Sequence, residues 1–159
     1  METKMKTEGM KGMSYKHFSI MMLISFFIMY IVMFLNIDDI SHFQTSTTRI
    51  YMALLMVSPM AVVMMAMMGK MYPNRKTNMG IIIAAIVVFI VTLTALRTQT
   101  PIGDVQYMKA MIPHHSSAIM VSKHANIQDP EVKKLSEQII ASQEKEIAEM
   151  NQMIERLSK

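Results

Sequence analysis

The residues of this chain best suited to chemistry are two adjacent histidines, His114 and His115, set among methionines. Met108 and Met111 precede them, and Met120 and His124 follow with a spacing of four. Downstream stand Gln143, Glu146, Met150 and Met153. Thioether and imidazole donors without thiolate suit Cu(I) and, by similar softness, Ag(I). Zinc on His114, His115 and Glu146 would use ordinary zinc donors but leave the methionines unexplained. Di-iron bundles use Glu-x-x-His pairs; here Glu146 is followed by Met150 with no His on that stretch, which disfavours such a centre. The chain has no Cys, so disulfides, thiolate zinc, iron–sulfur clusters and a Cys nucleophile are all excluded. No phosphate loop or activated-nucleophile pattern appears, so no enzyme is expected. Packing is the plain alternative for each of these residues. Met fills cores routinely, Glu146 can pair with a His, and His124 can complement a helix C-terminus.

Two helical stretches must position these side chains. The first runs from about Asp104, a plausible N-cap, to His124. The second opens on Asp129-Pro130-Glu131, which supplies an N-cap, a first-turn Pro and an acid at the positive helix end, and continues to about Leu157. The short link 125–128 predicts an antiparallel hairpin. On the second helix Val132, Leu135, Ile139, Gln143, Glu146, Met150, Met153 and Leu157 recur every three or four residues as a seam. On the first the seam is Met108, Met111, His115, Ile119 and Ser122, with Pro113 predicted to kink the helix beside the His pair. An antiparallel arrangement brings Met111, His114 and His115 near Gln143, Glu146 and Met150. A hairpin of about 60 residues is too small to bury much core alone. A second hairpin completing a four-helix bundle, a metal, or the rest of the chain must finish it, and a homodimer is the expected partner.

The rest of the chain is apolar. Of 159 residues 52% are hydrophobic and 22 are Met, and the mean hydropathy is +0.27. Residues 18–35, 51–69 and 80–96 carry no charge. A bilayer core about 30 Å thick needs about 17–25 apolar residues at 1.5 Å each, so all three qualify as spans. The first is too long for a signal-peptide core and lacks a small-x-small cleavage site, so it reads as a retained anchor. Lys4, Lys6, Lys11 and Lys16 precede span 1, and Lys70, Arg75 and Lys76 lie between spans 2 and 3. With Glu2 and Glu8 these segments net +5. The loop 36–50 has Arg49 against Asp38 and Asp39, a net −1. Residues 97–159 hold eight basic and eight acidic residues. The positive-inside rule therefore predicts a cytoplasmic N-terminus and second loop, with the first loop and residues 97–159 outside, in an inner (plasma) membrane. The net charge of +4 is thus a topology signal, and no nucleic-acid partner is supported.

Span 2 also carries Met52, Met56, Met60, Met64, Met67 and Met71 within about 120° of helix surface, and span 1 carries Met22, Met29 and Met33 within about 40°. Such stripes suit helix packing, or a conduit for a soft metal. The organisation expected is all-α: a cytoplasmic segment 1–17, a three-helix transmembrane domain 18–96, a linker 97–103 and an extracytoplasmic Met/His hairpin 104–159.

The stretch from Tyr107 to Ile119, with Met111-Ile112-Pro113-His114-His115 and Ala118-Ile119, resembles the domain-of-unknown-function 305 family. So do Ile139-Ile140, Gln143, Glu146-Ile147 and Met150 on the following helix. Arg49 to Met56 and Met71 to Lys76 are similar to its membrane-anchored subgroup, so the resemblance covers nearly the whole chain. It implies a ferritin-like helical hairpin, half of a four-helix bundle, and a role in copper or silver binding and resistance in the periplasm, with other copper-handling proteins as partners. It also implies Met108, Met111, His114, His115, Met150 and Met153 as ligands.

Overall fold

A computed structural model describes residues 14–159. Most of the expected N-terminal segment, with Lys4, Lys6 and Lys11, lies outside the described residues. The described residues form five α-helices and two short 3-10 turns, and all their regular structure is helical. The helices are α1 (Tyr15–Val32), α2 (Thr47–Met68), α3 (Arg75–Thr98), α4 (Asp104–His124) and α5 (Pro130–Leu157).

The first three are long and apolar enough to cross a membrane. Each begins a few residues before its uncharged run, because a polar side chain caps it. Ser14 accepts from the Lys16 amide, Ser46 from Arg49, and Asn74 from Lys76 and Thr77. α2 is the central helix, packed against α1 and α3. Much of the outer surface of these helices is bare hydrocarbon, as at Leu23, Phe27, Ile31, Val87 and Val91. That pattern suits a lipid solvent, where no apolar residue needs to turn inward.

Polar groups close the end of the layer where α2 turns into α3. The Tyr15 hydroxyl donates to Asn78 Oδ1 at 2.7 Å and accepts from the Asn74 amide at 3.2 Å. Asn78 Nδ2 donates to the Gly69 carbonyl at 2.9 Å. Beneath them Phe18, Ala61, Met65 and Tyr72 form a buried cluster, with Met22 and Met64 packed against it. Several stripe methionines therefore serve as packing groups. Met52, Met56, Met67 and Met71 of the α2 stripe are exposed on the chain surface.

At the opposite end α4 and α5 pack together through Ile112, Ile119 and Ile147, with Ile140, Met150 and Ile154 around them. α4 continues through Pro113, which is fully buried. Its N-cap is Gly103, with Asp104 as the first helical residue. Asp129 caps α5 by accepting from the Glu131 and Val132 amides, with Pro130 at the first helical position.

The seam of α5 is displaced by one residue from the expected one. The side facing α4 is marked by Ser136, Ile140, Ile147, Met150 and Ile154. Val132, Leu135, Met153 and Leu157 are left 43–55% exposed. The sequence contains two neighbouring stripes about 100° apart. The small Ser136 lets α5 approach closely enough for its hydroxyl to donate to the Ser122 carbonyl at 3.3 Å.

The α4–α5 pair does not stand alone on a linker. The first loop, 33–46, folds over α4. Ser116, fully buried, accepts from the Asp38 amide at 2.8 Å and pairs with His42 Nδ1 at 2.8 Å. Asn36 Nδ2 donates to Ser117 Oγ at 2.8 Å. Gln106 Oε1 accepts from the Thr47 amide at the start of α2. The first loop and the α4–α5 pair therefore occupy the same end of the three-helix layer.

Candidate functional site

The seven candidate ligands do not form one cluster. They divide into three groups along α4, two shared with α5 and one facing α1 and α2.

His115 and Glu146 make the central group. His115 Nδ1 lies 3.3 Å from Glu146 Oε2, with the imidazole side chain 12% exposed and the carboxylate 44% exposed. The ring N–H is not aligned for a hydrogen bond, so Nδ1 is a buried nitrogen without a hydrogen-bond partner. Ser142 Oγ donates to the other carboxylate oxygen at 2.7 Å. Burial pushes the His115 pKa below its ordinary value; Glu146 opposes that shift and His114 adds to it. A neutral imidazole is the form that can donate a lone pair to a metal.

Met108, Met150 and Met153 make the second group. They line a cavity of about 350 Å³ where α4 begins and α5 finishes, together with Asp104, Tyr107, Arg156 and Leu157. Met108 is buried and Met153 is 43% exposed, so the cavity opens to the surface. Three thioethers thus approach a common space, with Asp104 and Arg156 contributing opposite charges at its rim.

Met111 and His114 make the third. They turn away from α5 and line a cavity of about 510 Å³ against the ends of α1 and α2, where Met33 and Met52 also reach. His114 is separated from His115 by the turn between consecutive helical residues, and their ring centroids are 6.2 Å apart. Neither Met33 nor Met52 was among the expected ligands. The signal that finds them is topological: once loop 1 and α4 share one end of the layer, the last turn of span 1 and the first turn of span 2 must meet α4.

Gln143, expected in the central group, is half-buried. His124 Nδ1 is engaged by the Met120 carbonyl at 2.9 Å, which holds that pair in a local backbone contact. Among the described residues no three His, Asp or Glu side chains converge at metal-binding range. The candidate residues that share a cavity are mostly methionines.

Comparison with known proteins agrees with the motifs. The family model "Domain of unknown function (DUF305)" matches residues 56–154. A curated relative, "Uncharacterized protein L153" of Acanthamoeba polyphaga mimivirus, is 38% identical over 120 residues, which covers 74% of this chain and 77% of that protein. No solved structure matches. The match includes α3, α4 and most of α2 and α5, and the chain belongs to the DUF305 family.

Proposed function

We propose that the chain is an integral membrane protein that holds a soft monovalent metal ion, Cu(I) and by the same chemistry Ag(I), for sequestration, handover or resistance. Its α4–α5 pair is an antiparallel hairpin displayed outside the cytoplasm, in the manner of the membrane-anchored, copper-associated members of its family. The observation that carries this reading is the grouping of Met108, Met150 and Met153 around one cavity. Thioethers are poor ligands for hard ions, and a set of three with no thiolate favours a d10 monovalent ion. His115, held neutral by burial, adds an imidazole donor farther along α4.

The charge balance supports the orientation. Lys70, Arg75 and Lys76 lie at the end of the layer opposite α4–α5, where the positive-inside rule puts the cytoplasm. The inner membrane is then the resident membrane, and other copper-handling proteins are the natural exchange partners.

The test is a Cu(I) titration of the full-length protein in detergent against a chromophoric competing chelator. Wild type should bind Cu(I) at least tenfold more tightly than the Met108→Leu, Met150→Leu, Met153→Leu variant at the hairpin site. Equal affinity in the two proteins, or displacement of Cu(I) by equimolar Zn(II), overturns the assignment.

A second reading has its own observation. Val132, Leu135, Met153 and Leu157 leave an apolar stripe along α5. A second copy laid against it would complete a four-helix bundle, and self-association alone, without metal, is the structural rival.

A further inference from the structure

The cavity at the junction of α1, α2 and α4 contains a donor set of its own. Met33 comes from the end of α1, Met52 from the first turns of α2, and Met111 and His114 from α4. We propose that this cavity is a second soft-metal site, a three-thioether, one-imidazole set for Ag(I) or Cu(I) that joins the membrane-spanning helices to α4. It shares the soft-metal chemistry of the first site but uses none of Met108, Met150, Met153 or His115.

The local sequence builds the space. Ala110 and Pro113 are the α4 residues between and beside the donors, and neither fills the cavity. Each Met has an unbranched chain with three rotatable bonds, so its sulfur can adjust its position within the cavity. His114 is exposed, while its neighbour His115 is turned toward Glu146 of α5.

The polar lining offers neutral lone pairs and one competing positive charge. Asn36 Nδ2 is spent on Ser117 Oγ at 2.8 Å. The Arg49 guanidinium donates to the Met33 carbonyl and lies over the Phe34 ring, 4.1 Å from its centroid. The other residues of the lining able to offer lone pairs are Thr48, His114 and Ser117 with the three methionines. Arg49 is the only charged residue of the lining, and its charge opposes any bound cation. The junction site is therefore the weaker-binding, faster-releasing of the two, as a transfer position beside a storage position would be.

The test uses full-length protein in detergent micelles, carrying 13C-methyl methionine and titrated with silver nitrate in chloride-free buffer. Methyl signals are assigned by single Met→Leu variants. Two Ag(I) should bind, and the Met33 and Met52 signals should shift in wild type and equally in the Met108→Leu, Met150→Leu, Met153→Leu variant. Met33→Leu with Met52→Leu should reduce the stoichiometry to one. Arg49→Gln should tighten the junction site about three- to tenfold. Shifts at Met108, Met150 and Met153 with none at Met33 and Met52 overturn this site and leave the first. The converse upholds it and overturns the first. Shifts of Met33 and Met52 with inorganic phosphate but not with Ag(I) mark an anion site and also overturn the proposal. These signals are read on the wild-type fold, so a variant that fails to fold leaves the test intact.

Discussion

Lys123 Nζ lies 2.8 Å from Asp38 Oδ2, joining residues 85 positions apart across the boundary between the first loop and α4. The same ammonium reaches Glu144 of α5 at 3.6 Å. One cation thus ties the loop between α1 and α2 to both helices of the C-terminal pair. Its pKa is raised, chiefly by the hydrogen bond to Asp38, with the Glu144 carboxylate adding to the shift. The buried partner of this exposed tie is Ser116, whose hydroxyl serves Asp38 and His42 together.

Ser116 should matter far more than Lys123. In Ser116→Ala the Asp38 amide loses its acceptor and the half-buried His42 its partner, beside a fully buried position. A buried group left unpaired costs about 1–3 kcal/mol. Lys123→Ala removes an exposed pair that salt already screens. Thermal unfolding in one detergent should therefore rank Ser116→Ala well below wild type and Lys123→Ala close to it. The reverse ranking would show that the charge, rather than the buried hydroxyl, fixes the loop.

The α5 seam can be tested by paired truncations. Ile112 and Ile147 are 0% and 4% exposed and meet in the α4–α5 core. Ile112→Ala or Ile147→Ala should cost about 2–5 kcal/mol. Leu135→Ala, at 55% exposure, should cost a small fraction of that in the monomer. Equal costs would mean that Leu135, as the heptad-like spacing predicts, lies on the packed side.

These contrasts show what the sequence makes legible. Uncharged runs of 17–19 residues mark three helices long and apolar enough to cross a membrane, because lipid imposes a length that few other environments do. Asp129-Pro130-Glu131 reveals the start of α5, because capping is local chemistry. The α5 seam is less legible: Leu135/Ile139 and Ser136/Ile140 form adjacent stripes, and tertiary approach at Ser136 chooses between them. The candidate site is least legible. Helical spacing groups Met111, His114 and His115, yet consecutive residues point about 100° apart, so one faces α5 while another faces the spans. Met33 and Met52 join that group only through the docking of loop 1, a long-range event that no local pattern encodes.

His115 predicts a pH dependence whose sign is fixed. Burial lowers its folded pKa below the ordinary histidine value of 6.5, so the unfolded chain takes up the proton first as pH falls. Its contribution is full above about pH 6.5 and is lost as pH drops through that value toward the folded pKa. His115→Gln should flatten this acid limb of the stability curve. Glu146→Gln removes the one influence raising the His115 pKa, so the imidazole should titrate still lower, as read from its ring-proton NMR shift. A Glu146→Gln titration at higher pH would overturn the assigned cause.

The chain has no Cys, so single cysteines report sidedness cleanly. Ser41 of the first loop, Ser158 after α5 and Lys76 at the start of α3 are all exposed. Loop 1 packs on α4, so Ser41→Cys and Ser158→Cys must behave alike whichever side they face. With the proposed orientation, a membrane-impermeant maleimide should label both on intact spheroplasts and leave Lys76→Cys unlabelled until the membrane is opened. Labelling of Lys76→Cys alone would invert the orientation and put the thioether cavities in the cytoplasm. Labelling of Ser41→Cys without Ser158→Cys would break the docking of loop 1 on α4 itself. That docking is the relationship on which the junction cavity depends, because it brings Met33 and Met52 to Met111 and His114.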